Sequence, residues 1–257
     1  MRSKQTRNPA RENLSLTLAI SVLLLTLGSA HAPARVIISE IWPGGLPGEE
    51  ASSDWIEITN LGPQTITNLD QWHIRDVPVP PTVPDGLWLS GGQLTGVPTL
   101  APGESAVFLM SWDDVILDNL NPTLEEAIAA FHTLWGTANS DLKLGYTLDI
   151  NGGGGPGLSR DGDTVILYDA SLTGANIVDT QSFPVSNRAS YIYNPAADTF
   201  GDLAVPGRFG AYNSLTASST DSDLPAIASP GAIPEPATAG VLALLLALTV
   251  RRHPKEA

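Results

Sequence analysis

Glycine and proline interrupt this chain so often that long regular elements have little room to form. There are 24 glycines and 21 prolines among 257 residues, above ordinary usage. Proline lacks the N–H that a helix interior or a central strand needs, and glycine loses the most conformational freedom on ordering. Short strands joined by turns are the expected outcome, in a sandwich or barrel and not a helical or alternating α/β layout.

The runs between the breakers carry strand signals. Residues 35–42, RVIISEIW, are β-branched and read as a first strand. Residues 54–60, DWIEITN, alternate, with Ile56 and Ile58 on one face and Trp55, Glu57 and Thr59 on the other. That period of two marks a half-buried strand. A third strand region carries Trp72 and ends near Asp76. Residues 77–103 form a proline- and glycine-rich excursion with one weak strand at 87–89. ESAVFLM (104–110) is a further strand, and residues 163–169 and 176–183 are predicted to pair as a hairpin. Ile38, Ile56, Ile58, Val107, Leu109, Val165, Leu167 and Val178 are expected to fill the space between two sheets, with Trp55 and Trp72 as packing anchors. VPGRFGAYN (205–213) closes the body in irregular structure.

One helix stands out, TLEEAIAAFHTLWG at 123–136. Thr123 and Glu126 have capping-box spacing, and Gly136 can close the C-terminus. Leu124, Ile128, Phe131, Leu134 and Trp135 fall on one face at helical spacing, which predicts packing against the sheet.

The two ends differ from the body. Arg2, Lys4, Arg7 and Arg11 precede an apolar run at 14–27 and then small residues, the layout of a secretory signal peptide cut after Ala30 or Ala34. The chain has no cysteine, so an exported product would hold together by its apolar core and not by disulfides. At the other end, residues 214–232 have the composition of a solvated linker. An apolar run of 14 residues at 237–250 follows, then Arg251 and Arg252. As a helix this run reaches about 21 Å, short of a bilayer core of about 30 Å. The two arginines suit a cytoplasmic stop.

Between residues 35 and 230 there are six basic and 24 acidic residues. Such a body would be repelled by nucleic-acid phosphates, whose binding draws on lysine and arginine, and by anionic lipid. The body histidines, His73 and His132, sit in no motif and are expected at the surface or partly packed. No nucleophile elbow is present, no zinc-ligand spacing, and Gly152–Gly155 lack the lysine of a phosphate loop. The pairs Asp113–Asp114 and Glu125–Glu126 read as solvated faces and a helix start. Calcium is the one cofactor with candidate oxygen ligands, Asp149, Asn151, Asp161 and Asp163, although Asp161 and Asp163 also suit a tight turn.

These pieces, in order, resemble the lamin tail domain. The likeness rests on VIISEIW, DWIEITN, NLDQWHIRD, LAPGESAVFL, FHTLWG, LSRDGDTVILYDA, NIVDTQSF and VPGRFGAYN, spanning residues 36–213. It implies an all-β, immunoglobulin-like sandwich with one inserted helix over 35–213. The sequence departs from that pattern at its proline-rich insertion, 77–98, and at Arg160. The end resembles a PEP-CTERM sorting segment, 233–257, with Pro234, Glu235 and Pro236 as the motif, 237–250 as membrane helix and Arg251 and Arg252 as the basic stop. That second resemblance implies processing by an exosortase after signal peptidase and passage through the inner membrane to the cell surface or extracellular matrix of a Gram-negative bacterium. The expectation is a non-enzymatic binding or structural module whose partner is extracellular polysaccharide or a surface protein. A calcium-dependent adhesin and an accessory module related to secreted hydrolases are the alternatives.

Overall fold

The computed structural model describes residues 35–44, 54–75, 92–113, 124–138, 140–149, 157–159, 161–169, 176–185, 188–217 and 225–232. Both terminal segments, the weak strand at 87–89, Thr123, the run Gly152–Gly155 and Arg160 lie outside them.

Twelve strands and one helix are described: β1 (Val36–Trp42), β2 (Trp55–Asn60), β3 (His73–Arg75), β4 (Gly92–Thr95), β5 (Ser105–Asp113), α1 (Leu124–Trp135), β6 (Lys143–Asp149), β7 (Gly162–Tyr168), β8 (Ile177–Pro184), β9 (Tyr191–Asn194), β10 (Thr199–Leu203), β11 (Tyr212–Ala217) and β12 (Pro225–Ala228). Ten strands form one sheet in the order β10-β9-β1-β2-β5-β6-β4-β3-β7-β8, and β11 pairs with β12 separately. The sheet curls until its far end meets its middle. β8 lies against β1, where the Ile38 N–H donates to Asp179 Oδ2 at 2.8 Å, so the sheet nearly closes into a barrel. β7 and β8 form the expected hairpin.

The inner face holds Val36, Ile38, Ile41, Ile56, Ile58, Trp72, Ile74, Phe108, Val165 and Leu167. β5 and β6 run parallel, which requires a crossover, and α1 provides it. The helix lays Ala127, Phe131, Leu134 and Trp135 on the outer face of the sheet, against Trp42, Trp55, Val107 and Leu109. Trp135 meets Trp42 and Trp55 edge-on, with ring centroids 5.7 and 6.1 Å apart. Such edge-to-face pairs add to the area they bury.

This second layer corrects several expectations. β2 is buried along its whole length, not half-buried, because α1 and the β11–β12 pair cover its other face. Val107 and Leu109 pack in the outer layer, while Ala106 and Phe108 face the inner core. The stretch read as a solvated linker from residue 214 contributes β11 and β12. Part of the proline-rich insertion is β4, which joins β3 to β6.

Gly145 shows how tightly the layers meet. A Cβ there would stand 2.4 Å from the Thr95 carbonyl oxygen and 2.8 Å from the Phe108 ring. Gly145→Ala is therefore expected to destabilise the chain by about 1–3 kcal/mol, seen as a lower urea midpoint at unchanged slope.

Candidate functional site

The most unusual chemistry in the fold lies between the sheet and the chain's last described segment. β1 carries a bulge between Ile38 and Glu40, and the register shift sets Glu40 directly opposite Glu57 on β2. A bulge puts two residues against one and re-aims side chains. Ile38 and Ile41 thereby both stay in the inner core while Glu40 turns to the outer face. Each glutamate is 1% exposed.

The carboxylates are satisfied by hydroxyls and amides. Ser190 Oγ donates to Glu40 Oε1. The Ser229 N–H and Oγ donate to Glu40 Oε1 and Oε2, both at 2.8 Å. Ser39 Oγ donates to Glu57 Oε1 at 2.8 Å, the Gly231 N–H donates to Glu57 Oε2, and the Ser105 hydroxyl bonds the same carboxyl. Thr59 Oγ1 links Ser39 and Ser105, at 2.7 and 2.6 Å. Residues 225–232 thus form a strap that seals the pair from above. Gly231 is at φ +79°, and a Cβ there would come within 2.9 Å of Leu142, so the turn that presents its N–H requires glycine.

The ion pairs recorded among the described residues lie elsewhere: Arg35–Asp198, Lys143–Glu104 and Arg208–Asp202. Burial therefore dominates the electrostatics. It raises Glu40 to about 7, against the opposing pull of the bonds from Ser190 and Ser229. Burial, reinforced by the Glu40 charge, raises Glu57 to about 8. Tyr212 on β11 is pushed up to about 12 by burial and by both glutamates. Its hydroxyl donates to the Trp135 carbonyl at 3.0 Å, one of the acceptors that a helix end leaves open.

Beside the strap is a cleft of about 620 Å³ between the end of α1, the β5–β6 edge and β11, lined among others by Ser105, Thr137, Lys143, Tyr212, Leu215 and Gly231. Lys143 Nζ stands 2.6 Å from Glu104 Oε2 on its wall. Ser105 is shared by the cleft and the Glu57 carboxyl. The arrangement can bind a ligand through hydroxyls and one ion pair, and it can hold protons near neutral pH.

The residues singled out by sequence fall elsewhere. Asp163 closes its own turn, accepting from the Ser159 N–H at 3.0 Å and the Thr164 N–H at 2.7 Å, while the Asp161 N–H donates to Ser159 Oγ. The backbone of Asp149 lies at the end of β6, with β4 and β3 between it and β7; Asn151 is outside the described residues. Among the described residues no group of three or more His or acidic side chains is placed to hold a metal ion. His132 Nδ1 meets Thr137 Oγ1 at 2.8 Å. His73 is buried on β3 and not at the surface, and burial lowers its pKa. Pro234, Glu235, Pro236, Arg251 and Arg252 lie outside the described residues. Sequence reading missed the glutamate pair by assigning Glu57 to a solvent face. Trp55 on that same face was the available signal, because a face bearing tryptophan calls for a cover.

For an acid whose folded pKa is raised, the folded state binds more protons than the unfolded state. Its contribution is fully present below the unfolded value, near 4.5, and is lost as pH rises through the folded values. Melting temperature is thus expected to fall from about pH 5 to about pH 8, and Glu57→Gln to flatten that slope in a calorimetric pH series.

The model of the lamin tail domain family matches residues 29–183. No curated protein and no solved structure matches the chain. The match reaches β8 and stops short of Ser190 and the strap, which complete the carboxylate site. With its mostly β architecture, single crossover helix and nearly closed sheet, the chain belongs to the lamin tail domain family, a family of non-catalytic, immunoglobulin-like domains.

Proposed function

We propose that this chain is an exported binding or structural module, delivered to the cell surface or extracellular matrix by its C-terminal sorting segment. The observation that carries the reading is the lamin-tail body with its strap, which lies between the two segments that resemble addressing signals. Its first strand starts at Val36, just past the candidate signal cleavage sites. Its last described hydrogen bond joins the Ala232 N–H to the Ser229 carbonyl at 2.8 Å, two residues before Pro234.

Recognition, not turnover, is the activity that such a body supports. The cleft beside the strap offers hydroxyls, Tyr212 and the Lys143–Glu104 pair to a polar partner. Extracellular polysaccharide presents the complementary hydroxyl-rich surface; a surface protein is the other partner class. The acid-rich body keeps clear of nucleic acid and anionic lipid.

Mass spectrometry of the chain recovered from cell fractions tests the reading. The expected product starts after Ala30 or Ala34, lacks residues 237–257 when an exosortase is present, and retains them when that enzyme is deleted. A chain still ending at Ala257 in the inner membrane of cells that possess the enzyme would remove the sorting claim.

A further inference from the structure

We infer that residues 225–232 are a releasable strap, docked on Glu40 and Glu57, whose opening on the alkaline side hydrates both carboxylates and frees the chain leading into Pro234. The inference rests on the proposed sorting role only for its consequence at the motif; the docking itself is geometry.

The strap is held mainly by polar contacts. Its buried apolar side chains are Ala226, Ala228 and Pro230, with Ile227 partly buried against Ile192, Ala204 and Ala211; most of these are small, so hydrogen bonds carry much of the hold. Its bonds are those of Ser229 and Gly231 to the two carboxyls, its antiparallel pairing with β11 at Tyr212–Ala228 and Asn213–Ile227, the Ile227 N–H to the Arg188 carbonyl at 2.9 Å, the Ser190 N–H to the Ile227 carbonyl at 3.0 Å, the Ala226 N–H to Ser214 Oγ at 3.0 Å and the Arg188 guanidinium to the Pro225 carbonyl at 3.2 Å. Most of these come off together if the strap lifts.

The other walls of the site cannot open so easily. β1, β2 and β5 are paired on both sides within the sheet and packed on both faces. The strap covers acceptors that become charged as protons leave. Donors from Ser190, Ser229, Ser39 and Gly231 favour the charged forms, but burial outweighs them at both sites, so ionisation raises the free energy of the sealed state. Lifting the strap admits water to both groups without disturbing the sheet.

Among the described residues no ion pair to either carboxyl is recorded, and the Arg188 guanidinium donates to the Pro225 carbonyl of the strap at 3.2 Å. Tyr212 on β11 stays neutral through this range. Glu104, just before β5, and Lys143 at the start of β6 neutralise one another at 2.6 Å. On β9, the Tyr191 hydroxyl is turned to the Val185 carbonyl and the Tyr193 hydroxyl to Asp198. On α1, His132 is bonded to Thr137. The Arg35 guanidinium at the start of β1 pairs with Asp198.

Hydrogen–deuterium exchange on the full-length chain in detergent, from pH 5.5 to 9 and corrected for intrinsic rates, tests this directly. Peptides covering 225–232 are expected to lose protection by at least about tenfold, the effect of one pKa unit, while peptides from β2 and β5 keep theirs. Glu57→Gln and Glu40→Gln should each reduce the loss, and the double variant should abolish it. Constant strap protection across the range, loss in step with β2 and β5, or unchanged pH dependence in the variants would overturn the inference. If the variants do not fold, the wild-type comparison of strap with β2 and β5 still decides it. An intact Ala257 in cells would defeat the sorting role and leave this result standing, so the two failures are distinguishable.

Discussion

Two glutamates stand opposite one another on adjacent central strands, sealed from water and without a cation among their described partners. Taking a carboxyl out of water is costly unless it is hydrogen-bonded or neutral, and here both remedies are combined. Six hydroxyl and amide groups converge on Glu40 and Glu57 from β1, from β5, from the approach to β9 and from the strap. Burial itself pushes both acids toward their protonated forms. The bulge in β1, the serines on four segments and the glycine turn at residue 231 all follow from accommodating that pair.

The same need explains why the sheet has no solvent face at its centre. The inner side of β1, β2 and β5 is the core of the curled sheet, and α1 covers part of the outer side. The remainder, over the glutamates, is closed by residues that lie beyond the family match. A lamin-tail body is thereby joined to a strap, residues 225–232, that is part of its fold.

Much of the architecture was legible locally. VIISEIW and WIEITN alternate or run β-branched because strands reward those side chains, and both are strands with nearly the expected bounds. The helix announced itself by its stripe at helical spacing and by Gly136. The 163–183 hairpin followed from two strand runs adjacent in sequence. Short strands without strong alternation were not legible: GQLT, KLGYTLD, TFGDL and PAIA carry glycine, alanine or proline and become strands because a neighbour offers a pairing edge. The calcium candidates shared a stretch of sequence, but the sheet order separates Asp149 from Asp163, and sequence proximity does not encode that order.

The sequence by itself determined that this is a β-rich body without disulfides, crossed by one amphipathic helix, because periodicity, breaker spacing and cysteine count are local properties. Only the tertiary structure decided which face of each strand is covered, since a cover comes from residues distant in the chain. Glu57 and Ser229 are 172 positions apart in sequence, and no local pattern in either marks the site they share. Burial turned a strand glutamate that looked solvated into half of a proton-holding pair.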